Sequence, residues 1–449
     1  MTMNWSLYFK VFHMVFRLMT PQEIRHVRLV CKALADIGAC HGFRNLTVFL
    51  HQESFAALSN FANHRSIGPY INEIVYDTRT PTSSMGERPL SMPQYLLRTG
   101  PGDLRRRVQS CRENWIPSDA FEKDSMSDGD IRENYRRYLR AVNYEQHIMS
   151  THKDFRFFQE VLPKFPGLRS VTISNGIAIQ RSSPFSAFFI PDDVSHFPAC
   201  DRQTRAVIYG LRSAQRRLES FWITGVNPIS IRREILYSMP DVCPRLKSLK
   251  LWFHEELSMA LITPGEKGYP NTGRREMSIC LQNLPGIQVL HLCFCQTPPL
   301  PPRHAMLRDI YPIVESTFHR WHNLREVYFH QVVGSSKDFR IFFIQQRNSL
   351  KDLHLGQCKL HTSTWVGLLR AMRAVLKLQR LRLSGHFCGD SLFQGRAGSS
   401  IRRECWDVGQ PDGIFSREVE YWFTHPEAFD PLTLSRIDSL KILENAFWI

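Results

Sequence analysis

Three short stretches place reactive residue types at spacings that chemistry can use. In DSMSDGDIRENY, Asp124, Asp128, Gly129, Asp130 and Ile131 fall at the offsets of a twelve-residue calcium loop. Met126 stands at the third position and Tyr135 at the twelfth, where a bidentate Glu is required, so the stretch reads as an acid-rich helix start. Cys293 and Cys295 share one face of an expected strand, but no His or Cys partner stands at metal spacing, and both read as packing residues. PPLPPR, residues 298–303, has the Pro-x-x-Pro-x-Arg shape of a polyproline ligand and reads as a stiff loop. No Gly-rich phosphate loop, Gly-x-Ser-x-Gly elbow or His-Glu-x-x-His helix occurs, and the 18 histidines do not cluster with carboxylates. The expectation is a binding protein and not an enzyme, with no catalytic residue, no metal and no cofactor.

The totals agree with that direction. A chain of 449 residues exceeds the usual single domain, so several domains or an extended repeat array are expected. Hydrophobic residues make up 43% and charged residues 22%, which fits a folded chain and not a disordered one. Lys plus Arg number 57 against 42 Asp plus Glu, giving +15, but no run concentrates the charge. Nucleic acid is therefore an unlikely partner. Eleven cysteines without a Cys-x-x-Cys pair read as reduced thiols. The N-terminal MTMNWSLYFKVFHMVFRLM is interrupted by Lys10, His13 and Arg17, unlike a signal peptide, and no stretch is long and apolar enough for a membrane span. A cytoplasmic or nuclear protein with no membrane partner is expected.

The elements that would carry binding announce themselves through a recurring phrase, Leu-x-x-Leu-x-Leu. LKDLHLGQCKL at Leu350 is the fullest copy, and looser ones begin at Leu168, Leu218, Leu246, Ile287, Leu324 and Leu378. Their starts differ by 50, 28, 41, 37, 26 and 28 residues, which implies insertions between some of them. Each phrase predicts a short strand with alternate side chains in a shared core, and Lys153–Leu162, Thr204–Leu218, Ser336–Gln346 and Trp365–Leu376 predict returning helices. Phe43–Leu50 and Ile71–Tyr76 predict two earlier strands, Ile131–Ile148 a helix, and Ser416–Phe423 a helix in the tail. The fold class expected is α/β, a leucine-rich-repeat solenoid (horseshoe) over 43–395 with a long insertion at about 78–130 and a C-terminal cap over 396–449. The residue between the last two pattern positions projects outward from each strand. Thr172, Trp222, Lys250, His291, Tyr328, His354 and Arg382 are thus expected to line up on a concave face about 5 Å apart, the last six as the binding surface for a protein substrate of unknown identity.

Thr20 to Gly38, TPQEIRHVRLVCKALADIG, predicts one amphipathic helix. Thr20 and Glu23 form a capping box, Pro21 takes the first helical position, Ile24, Val27, Val30, Cys31, Leu34 and Ile37 make the apolar stripe, and Gly38 is the stop. With Leu18 in front, the stretch resembles the second half of an F-box, the match being carried by Leu18, Pro21, Ile24, Val27, Leu29, Val30, Cys31, Leu34 and Ile37. The family's Leu-Pro-x-Glu aligns with Leu7, Tyr8, Phe9 and Lys10, where the Pro is absent and the charge reversed. FPGLRSVTIS, LQRLRLSG and SREVEYWF also resemble the F-box proteins of filamentous fungi. The resemblance implies a small all-α F-box-like domain over 1–42 and an adaptor role in a Skp, cullin, F-box ubiquitin ligase. It implies docking on the Skp linker through Leu7, Val15, Phe16, Leu18, Pro21, Ile24, Val27, Leu29 and Val30, with the repeats selecting a target for degradation. The competing reading is a basic leucine-rich-repeat or RNA-binding scaffold without ligase docking.

Overall fold

A computed structural model describes residues 5–65, 67–78, 89, 91–93, 128–174, 198–214, 218–226, 234–254, 278–295, 314, 321–361, 363–395, 398–408 and 413–432. The insertion expected at about 78–130 and the PPLPPR stretch lie almost wholly outside them. The chain divides into two compact units, Met1–Arg216 and Arg217–Ile449.

The first unit opens with three helices, α1 (Trp5–Leu18), α2 (Pro21–Val27) and α3 (Lys32–Gly42). Strand β1 (Asn45–Phe49), helix α4 (Gln52–Asn63) and strand β2 (Glu73–Asp77) follow, then α5 (Asp128–Thr151), α6 (Lys153–Val161), β3 (Ser170–Ser174) and α7 (Pro198–Ala214). β1, β2 and β3 pair in parallel, with Leu46 beside Ile74 and Ile74 beside Val171. Asp154 on α6 and Arg202 on α7 form a buried two-pronged ion pair at 2.9 and 3.1 Å, fixing those helices to each other. Left-handed His152, φ 53°, makes the corner between α5 and α6.

The second unit holds β4 (Ser220–Val226), α8 (Glu234–Val242), β5 (Ser248–His254), β6 (Val289–Cys295), β7 (Glu326–His330), β8 (Val333–Gly334), α9 (Ser336–Gln346), β9 (Asp352–Gly356), β10 (Lys359–Leu360), α10 (Trp365–Val375) and β11 (Arg380–Ser384). A long hairpin, β12 (His386–Gly395) with β13 (Gly398–Asp407), and α11 (Ile414–Thr424) complete it. Every expected strand begins two residues into its phrase, and the pattern explains why. Leu246, Leu249 and Leu251, Ile287, Leu290 and Leu292, and Leu350, Leu353 and Leu355 are all at most 2% exposed, while the residues between them face outward. One carbonyl ahead of each strand accepts two consecutive N–H groups from the next: Glu219 from Lys247 and Ser248, Lys247 from Gln288 and Val289, Gln288 from Arg325 and Glu326, Arg325 from Lys351 and Asp352, Lys351 from Gln379 and Arg380.

The leucine-rich-repeat horseshoe is overturned. The described strands pair in parallel as β1-β2-β3 in the first unit and as β4-β5-β6-β7-β9-β11 in the second, a mixed α/β fold and not a uniform horseshoe. A horseshoe requires the same wedge of chain behind every strand. Here the described helices vary from 7 residues in α2 to 24 in α5, and strand starts within the second unit step by 28, 41, 37, 26 and 28 residues. In the tail the β12–β13 hairpin extends a second sheet, ordered β13-β12-β10-β8, that the repeat phrase does not predict. The helix expected there is α11, and its Ser416 hydroxyl accepts the Leu383 N–H at 3.1 Å, satisfying an edge-strand donor of β11.

Candidate partner-docking surfaces

The expected single helix from Thr20 to Gly38 is two. Its start is as expected: the Thr20 hydroxyl accepts from the Glu23 N–H at 3.3 Å, and the Glu23 carboxylate accepts from the Thr20 N–H at 2.6 Å. Hydrogen bonds donated to the Glu23 carboxylate by the Thr20 N–H first and then by the Thr20 hydroxyl, at 2.8 Å, hold that carboxyl below its ordinary range. After Val27 the chain tightens, with Leu29 N–H to His26 O at 3.0 Å and Val30 N–H to Val27 O at 3.1 Å, and α3 begins past Cys31. Gly38 is not a stop. It lies inside α3, where a Cβ would come within 2.3 Å of Arg28 Cγ. That clearance lets Arg28 cross α3, donate to the Ala35 carbonyl at 3.1 Å and set its guanidinium 4.3 Å from the Phe43 ring centre.

The break sorts the nine residues implied for Skp docking. Phe16 and Ile24 close a small core with Ile37, and Val27 packs partly buried against it, so these three hold the helices together. Leu18 at 88%, Leu29 at 85% and Val30 at 72% are exposed, as is Val15. Val11, Phe12 and Met14 extend the exposed apolar surface along α1. Leu7 lies in α1 and Pro21 opens α2, but the side chains of both fall outside the described residues.

The expected outward row is present in the second unit, residue for residue. Trp222 pairs with Lys250, Lys250 with His291, His291 with Tyr328, Tyr328 with His354, and His354 with Arg382, all in one register and all half-buried. Thr172 belongs to the first unit, buried on β3, where its hydroxyl donates to Glu73 at 3.4 Å. Along the row the Lys250 ammonium lies 5.3 Å from the Trp222 ring centre. His291 Nε2 meets Glu326 Oε1 at 2.7 Å, a contact that, ahead of the other nearby charges, holds the Glu326 carboxyl below its usual range. Tyr328 and His354 meet edge to face at 4.4 Å, and His354 Nε2 lies 3.0 Å from Ser384 Oγ.

Residues two positions along a strand share its face, so the same alternation that gives the first row implies a second. The next row holds Trp252, Cys293, His330, Gly356 and Ser384. Trp252 meets Trp222 edge to face at 5.8 Å, and neither indole N–H has a hydrogen-bond partner. His330 packs over Gly356, where a Cβ would lie 2.4 Å from His330 Nδ1, and burial pushes its imidazole down to about 4. Buried Cys243, Cys280 and Cys358 have thiols pushed up to about 12 by burial, which keeps them protonated and poorly nucleophilic. Among the described residues no group of His, Cys, Asp and Glu is arranged to hold a metal, and no helix is long and apolar enough to cross a membrane. The chemistry offered is adhesive: an apolar three-helix surface, and a sheet face of aromatic rings with one ammonium and several imidazoles. A scan against protein-family models finds none that matches the chain, and a search of curated proteins finds no match.

Proposed function

We propose that the protein is a substrate-recognition adaptor of a Skp, cullin, F-box ubiquitin ligase, cytoplasmic or nuclear and without catalysis of its own. In this reading α1–α3 dock on the Skp linker, and the row from Trp222 to Arg382 takes the target protein. The observation that carries it is the exposure of Leu18, Leu29 and Val30, three large apolar side chains held outward by a well-formed cap and turn at positions where the F-box pattern is also apolar. An isolated helical unit gains nothing from displaying them, whereas burying each against a partner contributes about 1.5–3 kcal/mol. The sheet row supports the second half, since aromatic residues are enriched where proteins bind one another and charged residues other than Arg are depleted.

The test is affinity purification of the full chain and of Leu18→Asp with Leu29→Asp. The expected result is recovery of the Skp linker and cullin with the parent chain and loss of both with the variant, which keeps its helical content because the two side chains touch no core. Failure of the parent chain to recover Skp overturns the reading. Ile24 is unsuitable for this purpose: it is 2% exposed, and charge there breaks the core first.

A further inference from the structure

The first unit contains a cavity of about 630 Å³ that neither surface uses, lined by His13 and Arg17 of α1, by Asp36 and His41 of α3, and by Arg44, Tyr70 and Arg169 from the segments ahead of β1, β2 and β3. Three arginines from three separate segments converge there, and Asp36 is the one carboxylate among the described lining residues. We propose that this cavity binds a phosphate monoester, its dianionic group held by Arg17, Arg44 and Arg169.

Geometry supports both halves of that assignment. Arg44 is positioned by Nε donating to the Cys40 carbonyl at 3.1 Å and by Nη2 lying 3.4 Å from His41 Nδ1, which leaves its remaining guanidinium donors for a ligand. The guanidinium fork matches phosphate oxygens in pairs, and Arg17 and Arg44 bring two such groups to a cavity whose described lining holds Asp36 as its carboxylate. The cavity is also far larger than a bare phosphate ion, so its shape calls for an organic portion beside the charged group. Gly167 keeps two segments close, since a Cβ there would sit 2.4 Å from the Pro69 carbonyl oxygen.

The His41 imidazole reports the same field. His13 Nδ1 and His41 Nε2 lie 3.0 Å apart, and His41 is held below its ordinary value by burial first and then by Arg44, His13 and Arg17. An anion in the cavity reverses the charge contribution, so His41 titrates at higher pH when the site is filled.

The experiment is calorimetric titration of the full chain with phenyl phosphate, inorganic phosphate and phenol, with His41 followed by NMR. Phenyl phosphate is expected to bind saturably and more tightly than inorganic phosphate, phenol not at all, and the His41 titration to move upward. Arg17→Gln with Arg169→Gln is expected to weaken phenyl phosphate at least tenfold with an unchanged circular dichroism spectrum. Absence of saturable binding, binding that survives the double substitution, or an unmoved His41 overturns the proposal; equal affinity for the two phosphates overturns the organic portion. The proposal is independent of Skp docking, and the Leu18→Asp, Leu29→Asp variant is expected to bind phenyl phosphate as the parent chain does.

Discussion

The three N-terminal helices and the sheet of the second unit present outward-facing side chains by opposite means. In α1–α3 a core of three buried residues, Phe16, Ile24 and Ile37, holds up a surface that is largely apolar. In the sheet, β4, β5, β6, β7, β9 and β11 bury their phrase residues behind a half-buried face of rings and imidazoles that contact one another. The difference teaches that a docking surface and a docking scaffold are separate properties. The helices have much of the first on little of the second, and the sheet has its surface bound into the scaffold.

That contrast can be broken or sharpened by substitution. Phe329, fully buried on β7 and packed on Phe342 at 5.4 Å, supports the sheet, and Phe329→Ala is expected to lower stability by about 3–5 kcal/mol in urea titration. Ile24→Asp, by contrast, is expected to remove amide-exchange protection from α1–α3 while β5 and β7 keep theirs. Loss of protection throughout would show that the helices are not a separate small core.

The His330 imidazole makes the sheet face sensitive to pH. Its folded value of about 4 lies below the ordinary 6.5, so the unfolded chain binds the extra proton. The stabilisation is complete above 6.5 and is lost as pH falls towards 4, by about 3 kcal/mol in all. His330→Gln is expected to flatten the stability profile in that window, and an unaltered slope would place the sensitivity elsewhere. Gly356→Ala pushes His330 aside and is expected to cost about 1–3 kcal/mol by thermal denaturation. At the smallest end, Leu18→Asp and Val30→Asp are expected to change stability by less than about 0.5 kcal/mol, with partner capture as the readout that moves.

The sheet was legible in the sequence because its phrase repeats a purely local rule, alternate residues in and out, which tertiary packing reinforces at every copy. The six-residue row followed from the same rule, in the right register. Misread features depended on non-local contacts. Gly38 reads as a helix stop until Arg28 is seen lying across it, and the stripe through Val30 reads as continuous helix because nothing local reveals the turn from Arg28 to Cys31. The hairpin β12–β13 escaped because HFCGDSLFQG has little apolar alternation; it is ordered by pairing with β13 and with β10. Unequal spacings give a horseshoe only if they are insertions in a uniform repeat, and unequal spacing is itself evidence against uniform curvature.

The carbonyls that each accept two N–H groups from the next strand bear on how such a chain can change over time. Glu219, Lys247, Gln288, Arg325 and Lys351 fix where each following strand starts by bonds made at the strand itself. Doubling the segment between two strands costs only about 0.6 kcal/mol in closure entropy. Connections can therefore be lengthened, shortened or replaced by mutation while Trp222, Lys250, His291, Tyr328, His354 and Arg382 stay aligned, leaving the face free to be retuned one side chain at a time.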